Sequence, residues 1–244
     1  MRKTLLMLAL LLPMAVTAQD SAEAVVGRYL RMLNYEALPT DSLLVVETTV
    51  SFHGSADTFT MRRYYAIPAM MRVEVWRGDT LTDALCTNGG SRHREYVRAA
   101  GWWNDVDHSS FHRKMDAYDF RGGLYHWKEH GTRLTYMGSA TAKGERLLVV
   151  RADRDDSYTR YYLFEEQSGL LVLMQERDTD TINVNSPLKM LRAKPIEYEV
   201  VHEYLPVGAS LIPSEVSYMR DGLLTIMRTR AHFEPRNDLL FNKD

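Results

Sequence analysis

The chain has 244 residues, with 30 basic and 32 acidic side chains and a formal net charge of −2, so it lacks the basic excess that would point to nucleic acid. Apolar residues make up 45% of the sequence, enough for one β-rich domain with a sizeable core. Its single cysteine, Cys86, excludes an internal disulfide, and stability must come from packing.

The first residues read as a cleavable secretory signal. "MRK" is a basic n-region, "TLLMLALLLPM" an apolar core of about ten residues, and Val16 and Ala18 are the small residues a signal peptidase needs. The apolar run is short of the roughly 20 residues of a spanning helix, and nothing later approaches that length. No cysteine stands at the cut to accept lipid. The expectation is a signal peptide over 1–18 and a soluble domain over 19–244 outside the cytoplasm. Losing Arg2 and Lys3 leaves 28 basic residues (30 less these two) against 32 acidic ones, a mildly negative protein.

One amphipathic helix comes next. Ala22, Val25, Val26, Tyr29, Leu30 and Leu33 recur at three-and-four spacing behind Asp20 or Ser21 as N-cap, and "NYEALPT" ends the pattern. Strands follow. "SLLVVETTVSF" sets Leu44, Val46, Val50 and Phe52 on one face, and "TFTMRRYYAI" does the same with Phe59, Met61 and Tyr65. In "MMRVEVW", Met71, Val73 and Val75 alternate with Arg72, Glu74 and Trp76. "TLTDALC" and "SRHREYV" complete an antiparallel meander joined by tight turns.

Residues 101–131 break the alternation. They carry three of the 4 tryptophans and two short helix-like patches separated by "RGG", the character of a lid or binding loop. Strands resume with "RLTYMG", "ERLLVVRAD", "SYTRYYLFEE" and "GLLVLMQER", and after the looser "DTDTINVNSPLKMLRAKP" come "IEYEVVHEYLP", "SLIPSEVSYMR" and "LLTIMRTRAHFE". A sheet approaching about twelve strands curls, closes or splits, because twist accumulates. With one helix to cover it, a curled sheet keeps a concave apolar face that can take a ligand.

No residues assemble a reaction centre. His108 and His112, like His126 and His130, lie four apart, but no glutamate follows His108 as in a metalloprotease. Asp153, Asp155 and Asp156 lack the glycine and distal glutamate of a calcium loop and read as a charged hairpin. There is no Gly-x-Ser-x-Gly elbow, no phosphate loop and no histidine partner that would activate Cys86. Neither enzyme activity nor a metal or other cofactor is expected.

The order of the segments resembles the LolA-like lipoprotein carriers, also described as outer-membrane lipoprotein-sorting proteins. "AVVGRYLRML" looks like the family's first helix, "LLVVETTVSF" and "FTMRRYYAIPAMMRVEV" like its opening strands, and "CTNGG" like its Asp/Asn-Gly turn. "DFRGGLYHWKEHGTRLTYMG" resembles the helical insertion, "YYLFEEQSGLLVLM" a late hairpin, "HEYLPVGASLIPSEVSYMRDG" the closing strands and "NDLLF" the terminal motif. Where the family often has an arginine before the proline of the third strand, this chain has Ile67, with Arg62 and Arg63 upstream.

The resemblance implies a mainly β fold: one antiparallel, highly curved sheet of about eleven strands forming an unclosed half-barrel, with an N-terminal helix and a helical lid over 101–131. It implies a monomeric periplasmic carrier of lipoprotein acyl chains or another lipid, working between membrane-bound donor and acceptor proteins. A lipid-sensing or protein-interaction module of the same shape is the alternative. Strand parity nominates Val46, Val50, Phe52, Phe59 and Met61, with Tyr65, Met71, Val73 and Val75, as lipid-binding. Trp102, Trp103, Phe111, Leu124 and Trp127 are expected in the lid. Met61, Met70, Met71, Met174 and Met227 suit an adaptable lining, since thioethers repack around irregular shapes.

Overall fold

A computed structural model of the protein describes residues 21–67, 70–89, 92–107, 118–142, 144–154, 158–178 and 197–241. The signal peptide expected over 1–18 lies outside the described residues, as do Phe111, His108 and His112.

Helix α1 covers Ala22–Leu33, with Ser21 as its N-cap: the Ser21 hydroxyl accepts from the Ala24 amide at 3.1 Å, satisfying one of the amides that a helix start leaves unpaired. At the other end Asn34 turns left-handed at φ 51° and its N–H closes on Leu30 O. The buried stripe is Ala22, Val25, Val26, Tyr29 and Leu33, and each large apolar side chain on it contributes about 1.5–3 kcal/mol by leaving water.

The strands are β1 (Ser42–Phe52), β2 (Thr58–Ala66), β3 (Met70–Arg77), β4 (Thr80–Thr87), β5 (His93–Val97), β6 (Trp102–Asp105), β7 (Arg133–Ala142), β8 (Glu145–Asp153), β9 (Tyr158–Glu165), β10 (Leu171–Asp178), β11 (Glu197–Val207), β12 (Ser210–Arg220) and β13 (Leu223–Pro235). They form one sheet in the order β6-β5-β4-β3-β2-β1-β13-β12-β11-β10-β9-β8-β7, antiparallel throughout and not closed into a barrel. Among the described residues thirteen strands therefore stand where about eleven were expected. One addition is β6, which lies inside the stretch expected to be lid; four residues are too few for alternation to declare itself.

Among the described residues two sequential meanders, β1–β6 and β7–β13, are joined in the sheet by the pairing of β1 with β13, which runs from Ser42↔Pro235 to Phe52↔Thr225. Consecutive strands β6 and β7 consequently end on opposite edges of the sheet. The chain between them has to cross from edge to edge.

Both faces of the sheet carry apolar clusters. The main core holds α1 against Leu44, Val46, Tyr65, Val73 and Leu85 on one side and Leu148, Val150 and Phe164 on the other. Tyr29 meets Phe164 with ring centroids 5.3 Å apart. On the opposite face Leu43, Val45, Ala66 and Cys86 pack under Phe241 of the short 3-10 turn Asp238–Phe241. Residues one apart in β1 thus serve different cores, the consequence of side chains alternating across a strand.

Polar contacts lock α1 to distant hairpins. Arg28 donates to the carbonyls of Glu166 at 2.8 Å and Gln167 at 2.5 Å, while Asn34 Nδ2 donates to Ala209 O at 3.0 Å and Ser210 Oγ to Asn34 O at 2.8 Å. The β9–β10 turn comes so close that a Cβ on Gly169, where φ is +76°, would lie 2.8 Å from Arg28 Nε. Gly169→Ala should therefore cost about 1–3 kcal/mol in urea unfolding. Because part of that loss is the collision with Arg28, it should shrink by at least about 0.5 kcal/mol in an Arg28→Ala background.

Candidate functional site

The concave face is not filled completely. A cavity of about 250 Å³ lies between α1, the crossing segment and the strands of the second meander, walled by Tyr29, Thr48, Arg63, Asp119–Leu124, Tyr162, Leu171, Met174, Glu199, Ile212, Pro213, Val216, Met227 and Thr229.

The crossing segment roofs part of it. From Asp119 to Gly131 the chain runs through tight turns, with Gly122 N donating to Asp119 O at 3.1 Å, Tyr125 N to Gly122 O at 3.1 Å and Gly131 N to Lys128 O at 3.1 Å. Turns make this part of the insertion, where the second of two helix-like patches was expected. Glycines at 122, 123 and 131 favour such geometry, Gly122 and Gly131 at φ +77° and +64°.

Phe120 anchors the segment. Its ring sits edge-on to Tyr65 at 4.6 Å and Tyr35 at 5.1 Å, and Tyr125 meets Tyr35 at 5.7 Å. The Phe120 amide donates to Tyr65 Oη at 3.4 Å, and burial pushes the Tyr65 phenol well above its ordinary pKa, keeping it neutral. Tyr118 Oη donates to Asp83 at 3.1 Å, its phenol pushed up to about 12 by burial and then by the Asp83 charge.

Polar groups concentrate on one side. Arg121 grips Asp119 through Nε at 2.9 and 3.0 Å and through Nη2 at 2.7 Å, and its guanidinium lies 4.6 Å from the Tyr125 ring centroid. Arg63 projects from β2 into the concave face and is 9% exposed. Its Nη2 donates to Thr48 Oγ1, its Nη1 reaches Tyr118 O at 3.4 Å, and its Nε finds no partner. The Thr48 and Thr229 hydroxyls are 2.9 Å apart.

The residues nominated by parity do face this side, yet most are sealed under the protein's own cover. Val46, Tyr65, Met71 and Val73 are buried in the main core, and Met61 packs against it. Val50, Phe52, Phe59 and Val75 are half-buried toward the strand ends, where the Phe52 and Phe59 rings meet edge-on at 5.8 Å. None of the nine borders the cavity. Among the expected lid residues, Leu124 lines it and Trp127 packs on the main core.

Trp102 and Trp103 are elsewhere, a correction to their placement in the lid. From β6 they pair with Val97 and Tyr96 of β5, Trp102 is 61% exposed, and Trp103 packs on the opposite face with Arg72 5.0 Å from its ring centroid.

Arg63, Thr48 and Thr229 escaped the nomination because only apolar positions were taken. The signal was present. Arg63 falls between Met61 and Tyr65 on an otherwise apolar face of β2, and a charge at inward parity marks a polar position.

Cys86 is buried on the far side of the sheet. Its Sγ donates to Phe241 O at 3.3 Å, and burial pushes the thiol up to about 11. Among the described residues no cluster of His, Cys, Asp and Glu could hold a metal ion.

No protein-family profile matches the sequence, and no curated protein is similar to it. Solved structures are. A LolA superfamily protein from Nitrosomonas europaea superposes with a TM-score of 0.60 at 10% identity, over 93% of this chain and 99% of its own. A DUF1329 family protein from Desulfovibrio piger gives 0.62 at 11% identity, over 91% and 98%. A domain named for outer membrane lipoprotein sorting, from Vibrio parahaemolyticus, gives 0.57 at 11% identity, over 91% and 97%. The chain has a LolA-like fold.

The raised thiol yields a chemical check on this arrangement. At pH 8 the thiolate fraction of a group titrating near 11 is roughly a hundredfold below that of a free cysteine. Cys86 should react with an aromatic disulfide reagent at least about 100-fold more slowly in the folded protein than in denaturant.

Proposed function

We propose that this protein is a soluble periplasmic carrier that shelters acyl chains, those of lipoproteins or of another lipid, for transfer toward the outer membrane. Residues 1–18 serve as its export signal in this reading, and 19–244 as one lipid-binding domain. The observation that carries the reading is the cavity of about 250 Å³ held beneath the Phe120–Leu124 segment on the concave face of a LolA-like sheet.

Size and energy agree with reversible loading. An engineered cavity of about 150 Å³ takes benzene, so by proportion this one takes on the order of ten carbon atoms. At about 0.8 kcal/mol per methylene, ten carbons contribute at most roughly 8 kcal/mol, a micromolar affinity before the costs of ordering. Cargo held that loosely can leave again. Several chains at once need more room, which comes from displacing the crossing segment.

That segment is fastened in an openable way. Two of its attachments, Arg63 to Tyr118 O and Phe120 N to Tyr65 Oη, are 3.4 Å long, at the weak end of hydrogen bonding. The main hold is the Phe120 ring between Tyr35 and Tyr65. Met174 and Met227 on the walls can follow chains of different shape.

Lipid extraction and mass spectrometry of the purified protein should recover an acyl lipid. Met227→Glu, which sets a carboxylate on the wall, should weaken binding of a fluorescent acyl probe at least about tenfold, while Trp102→Ala, on the exposed β6 edge, should leave it unchanged. Absence of both extracted lipid and probe binding in the unaltered protein would sink the carrier reading.

A further inference from the structure

The arginines on this side of the molecule differ in burial and in how they are balanced: Arg121 and Arg160 are partly exposed, whereas Arg63 is buried. Arg121 has Asp119, and Arg160 on β9 has Glu176 at 2.6 Å. Arg63 has none: among the described residues no carboxylate comes within ion-pair distance of it. Its side chain uses Nη2 on the Thr48 hydroxyl and Nη1 on the Tyr118 carbonyl, and Nε is left without an acceptor while shut away from water. Leaving a buried charge unpaired costs several kcal/mol. Burial pulls the Arg63 pKa below its ordinary value, but a guanidinium starts so high that it stays charged.

We infer that Arg63 receives the carboxylate of a single-chain amphiphile, a free fatty acid, whose chain lies along Met174, Val216 and Met227 in the same cavity. The inference rests on the acyl-chain reading above and narrows its ligand class. Three features support it. The guanidinium fork matches a carboxylate in shape and charge. Space for about ten carbons suits one chain rather than two or three. The charged groups on the walls, Arg63 and Arg121 against Asp119 and Glu199, cancel in number, so a monoanion fits better than a phosphate monoester, which carries close to two charges at neutral pH. An ester- or amide-linked chain brings no charge to Arg63 and leaves the orphaned donor unmatched.

The test compares ligands that share one chain and differ only in the head. Delipidated mature protein is titrated calorimetrically at pH 8 with decanoate, methyl decanoate, decanol and decyl phosphate. Decanoate should bind at least about tenfold more tightly than the ester or the alcohol, the gain expected from a charged hydrogen-bonded pair. Arg63→Met should level those three, and Arg63→Lys should restore part of the preference. Equal binding of decanoate, ester and alcohol to the unaltered protein overturns the role of Arg63 and leaves the acyl-chain reading standing. Tighter binding of decyl phosphate than of decanoate overturns the choice of a carboxylate. Failure of all four ligands to bind removes the acyl-chain reading as well. Because the unaltered protein decides among these outcomes, instability of the Arg63→Met variant does not blunt the test.

Discussion

The pairing of β1 with β13 is the constraint from which the rest follows. It joins two meanders whose other neighbours are all sequential, and so sends the consecutive strands β6 and β7 to opposite edges. Any connection between them must span the sheet. Since a broad antiparallel sheet twists into a trough, the shorter way runs over the concave side, and the connection becomes a cover. The insertion is thus a topological necessity before it is a functional device. What function can select is its composition, and over the described residues 119–131 Phe120, the glycines around it and Leu124 make a plug built of tight turns.

A trough can be filled from two sources, and this one is divided between them. Helix α1 and the aromatic group of Tyr35, Tyr65, Phe120 and Tyr125 pack over β1–β3 and over β8 and β9. The hydrophobic effect favours such covering wherever the chain has apolar residues to spare, at about 25 cal/mol for each Å² removed from water. Around β10–β13 the supply stops. There the wall carries Met174, Val216 and Met227 beside Thr229, Glu199 and the Arg63 side chain from β2, and α1 borders it only through Tyr29. The cavity marks the place where self-covering ends.

Much of this was legible in the sequence, and the failures have a common cause. Helix α1 occupies the predicted positions and uses Ser21, one of the two N-caps offered, because capping and periodicity are local. Strand parity placed Val46, Val73 and Tyr65 on the concave face, since alternation is a property of the backbone. What covers that face is not local. Whether Val46 meets a ligand or Tyr65 and α1 depends on residues far along the chain, and the pattern of β1 is the same in both cases. The tryptophans misled for a related reason: Trp102 and Trp103 lie in four residues of strand whose pairing with β5 turns Trp103 to the far face. Composition suggested a lid, but register decided otherwise.

Arg63 shows what the apolar reading of a cavity omits. An unpaired guanidinium in a core is costly, and replacing such a group by a well-packed apolar residue commonly leaves a protein as stable or more so. A face designed only to hold hydrocarbon gains nothing from it. A face that must choose among amphiphiles gains a great deal, because hydrocarbon is the same in all of them and heads are not. Discrimination built on hydrophobic contact amounts to only about 1–3 kcal/mol for each methylene, whereas a polar group left unmatched rejects the wrong ligand far more strongly. On the proposed reading, the stability lost in keeping the Arg63 guanidinium buried without a counter-ion in the empty protein is regained when a head of the right charge arrives. The same orphaned Nε that weakens the empty fold would make it selective.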